Sequence, residues 1–210
     1  MDTIDAAGAL AILRGIADVM AENRDRLVEL DQVIGDGDLG LTMANGFGGA
    51  ARDAESFNEN DPGKLFMKAG MAINKHAPST MGTIMATGFM RGGKATAGKD
   101  ALGSADLGAF FQAFLDGVME RGKAKPGEKT VVDAILPAAE AAKAAGGKPL
   151  PEAMAAVLAG AEKGVETSRT LMSQHGKAAI FREKTIGLED PGCVAFCLMI
   201  RGFAGAVAKR

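Results

Sequence analysis

Residues 30–40 read LDQVIGDGDLG, and the last seven of them decide the fold. Gly35, Gly37 and Gly40 form a literal GxGxxG, the fingerprint of a dinucleotide-binding turn. Such a turn follows a strand and opens a helix inside a βαβ unit, with an acid about 20 residues further on, on a second strand. Here a helical pattern precedes the glycines: Leu13, Ile16, Met20, Leu27, Leu30 and Ile34 recur at steps of three, four and seven. No stretch of the chain alternates apolar and polar residues with period two between turn signals. The Rossmann reading fails on context, and the pattern predicts an all-α protein.

Working outward, the first helix is the stripe that ends at Ile34. A second is expected over about 40–56, with Leu41, Ala44 and Phe47 facing inward. Asp61-Pro62, an N-cap followed by proline at the first helical position, opens a third. A fourth, 81–91, carries Ile84, Met85 and Phe89. Ser104 is expected to cap a fifth, with Leu107, Phe111, Phe114, Leu115 and Val118 as its stripe. Thr130 and Asp133 have capping-box-like spacing and open a sixth, in which Pro137 predicts a kink or break. Pro149 and Pro151 precede an alanine-rich seventh, about 152–172, and Asp190-Pro191-Gly192 opens an eighth that runs to the C-terminus. The expectation is eight helices and no sheet, in one domain over 1–210.

A second glycine motif is also a decoy. Gly88-Phe89-Met90-Arg91-Gly92-Gly93-Lys94-Ala95 nearly matches a Walker A loop, but Ala95 stands where a hydroxyl should bind Mg²⁺, and no strand precedes it. Gly92-Gly93 is instead expected to end a helix.

The chain is 47% hydrophobic and 24% charged, with a net charge of -2 and no basic run. No electrostatic footprint for nucleic acid or an anionic membrane is present. The N-terminus has an acid at position 2 and no basic segment before its apolar residues, unlike a secretion signal, and no uncharged apolar run reaches the ~20 residues that span a bilayer. The expected location is the cytoplasm. Cys193 and Cys197, four apart on one helical face, are expected to be buried thiols.

Asp36 and Asp38 flank Gly37, and Asp31 lies five residues upstream. Carboxylates crowded together repel unless a cation neutralises them. An oxygen-only donor set selects a hard cation such as Mg²⁺ or Mn²⁺ over zinc. Three carboxylates and the phosphate chain of ADP or ATP carry about six to seven negative charges, which two divalent ions would largely balance. The competing reading makes Asp31 a helix terminus and the other two turn formers. Composition leaves both open.

Four segments carry a resemblance: LDQVIGDGDLGLTMANGF, APSTMGTIMATGF, RGKAKPGEKTVVDAILPA and HGKAAIFREKTIGLEDPG. In this order they resemble the nucleotide-binding L subunit, or L domain, of dihydroxyacetone kinases. The resemblance covers nearly the whole chain and implies a single-domain antiparallel eight-helix barrel with the nucleotide at one end. It further implies that Asp31, Asp36 and Asp38 hold two Mg²⁺ that grip the phosphates of ADP or ATP. Leu39, Gly40, Leu41 and Thr42 would contact phosphate; Thr80, Met81 and Gly82 would line the nucleotide; Gly122 and Val131 would lie near base or ribose. Lys177 would approach the phosphates, and Asp190, Pro191 and Gly192 would close the pocket. The chain departs from the family at Pro78-Ser79-Thr80-Met81-Gly82, where Gly-Gly-Thr-Ser-Gly is usual. Leu39 replaces a common histidine, and Lys177 a common arginine, which keeps the charge and gives up the fork.

The activity implied is phosphoryl transfer to dihydroxyacetone or a related short ketose held on a separate K subunit. ATP serves either as an exchanging substrate or through bound ADP rephosphorylated by a phosphotransferase-system phosphocarrier protein. A non-catalytic nucleotide sensor that binds a regulatory partner is the alternative.

Overall fold

The computed structural model describes residues 2–209. Nine α-helices follow in order: α1 Ala6–Glu22, α2 Arg24–Ile34, α3 Leu39–Ala54, α4 Pro62–His76, α5 Thr80–Thr96, α6 Ser104–Gly122, α7 Val132–Ala144, α8 Leu150–Ser168 and α9 Pro191–Ala208. A 3-10 segment, Lys177–Thr185, lies between α8 and α9. Among the described residues the one extended pairing is between Ile4 and Leu102, which exchange two backbone hydrogen bonds of 2.9 Å.

Local chemistry places most helix starts. The carboxylates of Asp5, Asp61 and Asp190 accept from the backbone N–H groups of Gly8, Lys64 and Cys193, and the Ser79 hydroxyl accepts from that of Gly82. Asp133 accepts from Thr130 N–H at 2.8 Å, the acidic half of the expected capping box. Ser104 is not the cap of α6. Asp106 takes the Gly103 N–H instead, and the Ser104 hydroxyl accepts from Gly147 across the connection to α8. Pro137 lies inside α7 without ending it.

Eight of the helices close a ring in the order α1, α3, α4, α5, α6, α7, α8, α9, with α9 returning to α1. The expected eight-helix barrel is present, and α2 is the addition. The single stripe ending at Ile34 is two helices: the backbone leaves helical geometry at Asn23, at φ -103° and ψ 12°, where the side-chain amide donates to the Val19 carbonyl, and α2 starts at Arg24. Within α3, Leu41 points outward and is 51% exposed, while Met43 and Phe47 take the inward places.

The ring is filled with aromatic side chains. Phe47, Phe66, Phe89, Phe110, Phe111, Phe114, Phe196 and Phe203 are fully buried. Phe89 is central among them, its ring 5.7 Å from those of Phe47 and Phe114, 6.0 Å from Phe110 and 6.1 Å from Phe66. Cys193 and Cys197 are buried on α9 as expected. By length and composition α9 could cross a membrane, with mean hydropathy 1.6, but 78% of it is buried within the barrel.

Gly92-Gly93 does not end a helix. α5 runs through both to Thr96, and the pair lets neighbours approach its C-terminal part. A Cβ on Gly92 would lie 2.8 Å from the Phe110 ring, and one on Gly93 only 2.5 Å from the Gly63 carbonyl oxygen and 2.7 Å from the Met67 nitrogen. Backbone atoms cannot rotate aside. Gly93→Ala is therefore expected to cost about 1–3 kcal/mol, or several degrees of melting temperature, in spite of alanine's better helix propensity. A melting temperature equal to or above that of the parent would contradict this packing account.

Candidate functional site

The connections α2–α3, α4–α5, α6–α7 and α8–α9 all open at one end of the barrel, where they line a single cleft. Its smaller part, about 280 Å³, is bounded by Asp31, Asp36, Asp38, Leu39, Lys177 and Pro191. Its larger part, about 1010 Å³, runs between the starts of α5 and α7 and the end of α6 and is lined by Val118, Gly122 and Val131 among others. Ser79, Thr80, Met81, Ile84, His175 and Asp190 border both parts. The larger part has the size of a small-molecule or cofactor site.

One carboxylate oxygen from each of Asp31, Asp36 and Asp38 lies within 4.8 Å of the others. Two glycines permit this. A Cβ on Gly35 would lie 2.2 Å from Asp31 Oδ1, so only glycine lets the loop fold over that carboxylate; Gly37 holds φ +75°. Asp31 lies inside α2, one turn from its end, and accepts from Leu39 N–H at 3.3 Å. Asp38 precedes α3 but its side chain makes no capping bond, so its carboxylate is left for the cluster. Asp36 pairs with the Lys177 ammonium. The donors are carboxylate oxygens alone, a set that fits a hard divalent cation.

The other expected residues divide in two. Leu39, Thr80, Met81, Gly122, Val131, Lys177, Asp190 and Pro191 line the cleft. Gly40, Leu41, Thr42, Gly82 and Gly192 do not. Gly40 is packed against the Arg24 carbonyl, Thr42 N–H is bonded to the Asp38 carbonyl, and Gly82 N–H to Ser79. Gly192 lies beneath the side chains of Met81 and Val131, where a Cβ would come within 2.9 Å of Met81 Cε. Met81 thus gives the cleft an apolar wall.

Three residues to which the sequence lent no role are gathered at the cleft. His175 and Lys129 line it, and Glu128 Oε2 is 2.7 Å from His175 Nε2. In sequence all three are polar residues of glycine-bearing loops, with the appearance of a solvated surface.

Asp190 is 8% exposed, and burial raises its carboxyl from 3.8 to about 6; Asp133 pushes the same way, against the Cys193 N–H and the Lys129 charge. The ionised form opposes folding. Below pH ~4 the group is protonated in both folded and unfolded chains; above pH ~6 it is ionised in both, at a cost to the fold of up to about 3 kcal/mol. An asparagine in its place would keep the cap and never ionise. In the nucleotide-free protein, the stability advantage of Asp190→Asn over the parent should grow between pH 4 and 6 and then level off. A difference that stays flat from pH 4 to 7, in urea titrations at each pH, would contradict this.

Fold and cleft together define a class: a helical barrel with three converging carboxylates at the mouth of a cleft of ligand size. Residues 33–205 match the DAK2 domain, and the chain belongs to that family. It is 30% identical to the PEP-dependent dihydroxyacetone kinase, ADP-binding subunit DhaL, of Escherichia coli (strain K12), over 91% of this chain and 92% of that one. It is 28% identical to the L-erythrulose 1-kinase of Mycolicibacterium smegmatis, of which it spans only 35%. The crystal structure of the dihydroxyacetone kinase from C. freundii in complex with AMP-PNP and Mg²⁺ shares the fold, with a TM-score of 0.67 at 22% identity, over 95% of this chain and 34% of that one.

Proposed function

We propose that this chain is the Mg-nucleotide-binding phosphotransfer subunit of a dihydroxyacetone or short-ketose kinase, with 1–210 as one L-type domain acting in the cytoplasm. The observation that carries the reading is the convergence of Asp31, Asp36 and Asp38 at the corner of a cleft large enough for a nucleoside. The names of its relatives support the reaction class, and kinase relatives leave the non-catalytic sensor without favour.

The three aspartates would hold Mg²⁺, two ions by the charge count, and Mg²⁺ so bound neutralises phosphate charge during transfer. The adenosine would occupy the larger chamber between Met81, Gly122 and Val131, with Thr80 offering a hydroxyl. Lys177, now on Asp36, would turn to the phosphates. Gly40, Leu41 and Thr42 would contribute through the positive end of α3, and Gly82 and Gly192 by keeping the Thr80–Met81 and Asp190 walls close. The chain supplies no covalent ketose carrier of its own in this reading, so a ketose-binding K subunit would present the acceptor. ADP kept in place would need a phosphocarrier protein for recharging.

The test is made on the protein as purified: denature it and count released nucleotide by ion-exchange chromatography, then titrate ADP and ATP with and without Mg²⁺. Near-stoichiometric ADP supports the bound-coenzyme form. An empty protein that binds ATP only with Mg²⁺ supports the exchanging kinase. No nucleotide binding under either condition overturns the proposal.

A further inference from the structure

Lys129 is a charge inside the protein. It is 2% exposed, and its backbone holds φ +54°, in the left-handed region glycine favours. An ammonium has three donors, and each of these meets a backbone carbonyl: Leu171 at 3.1 Å, Thr185 at 2.5 Å and Leu188 at 2.7 Å. Leu171 begins and Leu188 ends one excursion of chain between α8 and α9, and the middle of that excursion brings His175, Gly176, Lys177 and Ala178 into the cleft. Glu128 holds the same excursion from the next position, accepting Gln174 N–H on its carbonyl and meeting His175 with its carboxylate.

An apolar side chain could fill this space without the cost of burying a charge. What it could not do is satisfy the inward carbonyls of Leu171 and Leu188, in a segment with no α-helix or sheet ladder to take them; that of Thr185 also accepts from Leu188 N–H at 3.2 Å. The charge is expensive here: burial pulls the Lys129 pKa down, and Asp190 only partly offsets it. With all three donors committed to carbonyls, Lys129 has none left for a ligand.

We propose that Lys129 is a positioning residue for nucleotide binding, holding the 171–188 excursion in the shape that presents Lys177 to the aspartate centre. The inference rests on the nucleotide reading above. It is tested with the full chain carrying Lys129→Met or Lys129→Arg. Hydrogen exchange of residues 171–188 is read without nucleotide, and ADP affinity in Mg²⁺ by calorimetry. Lys129→Met is expected to speed exchange in 171–188 at least tenfold and weaken ADP at least tenfold, with exchange in α3–α6 unchanged. Lys129→Arg, which keeps the charge, should recover part of both. Unchanged exchange in 171–188, or weaker ADP binding without faster exchange, overturns the proposal. Exchange needs no ligand, so a parent protein that bound no ADP would sink the nucleotide reading separately. Should Lys129→Met not fold, acetic anhydride labelling of the parent decides: Lys129 should label at least tenfold more slowly than exposed Lys163, and equal rates overturn the brace.

Discussion

Asp36→Ala, assayed with a ketose-binding subunit, is expected to lower phosphoryl transfer by about 10³-fold or more and to leave the barrel intact. Asp36 belongs to a three-carboxylate centre and is itself exposed, so its loss removes charge and ligand atoms without opening the core. Its pairing with Lys177 is solvated, at 42% and 63% side-chain exposure, and losing it should cost at most about 1 kcal/mol, offset in the free protein by relief of repulsion among the acids. Asp31→Ala should differ. It also strips the acceptor from Leu39 N–H at the start of α3, so a small loss of stability should accompany the loss of activity. Steady-state phosphorylation alongside thermal melting separates the two. Transfer that persisted in Asp36→Ala would show that the aspartate centre does not hold the reacting phosphates.

Phe89→Ala is the largest expected effect on stability, about 3–5 kcal/mol of a total of roughly 5–15 kcal/mol for a domain of this kind. Phe89 has no exposed surface, and its ring meets four others contributed by α3, α4 and α6. Alanine would leave a cavity that a closed ring of helices cannot collapse without shifting several at once. Urea denaturation followed by circular dichroism should show a midpoint well below that of the parent, with a melting temperature lower by about 10 °C. A loss under 1 kcal/mol would mean that the ring relaxes into the space.

How legible all this was depends on how far apart the interacting residues lie. The helical period, the Asp61 and Asp190 caps and the acid half of the Thr130–Asp133 box are written within four residues of one another, and they stand in the structure as expected. The failed Rossmann match was equally local, since the helical stripe runs directly into the glycines. The convergence of Asp31, Asp36 and Asp38 could be suspected from two glycines and a spacing, and the structure brings their oxygens within 4.8 Å of one another.

What the sequence determined by itself was the all-α class, the positions of most helix starts and the short acidic loop, because backbone propensity and capping are local energies. Tertiary structure alone decided the rest. Asn23 divides one stripe into α1 and α2, so that α2 stands outside the ring. Gly92-Gly93, a stop signal in isolation, lies inside the C-terminal part of α5, where Phe110 and the Gly63 carbonyl crowd it. Lys129 and Glu128 look solvated until carbonyls 42 to 59 residues away and His175, 47 residues away, close on them. Close approach and the burial of charge are properties of partners distant in the chain, and no local pattern encodes which partner arrives.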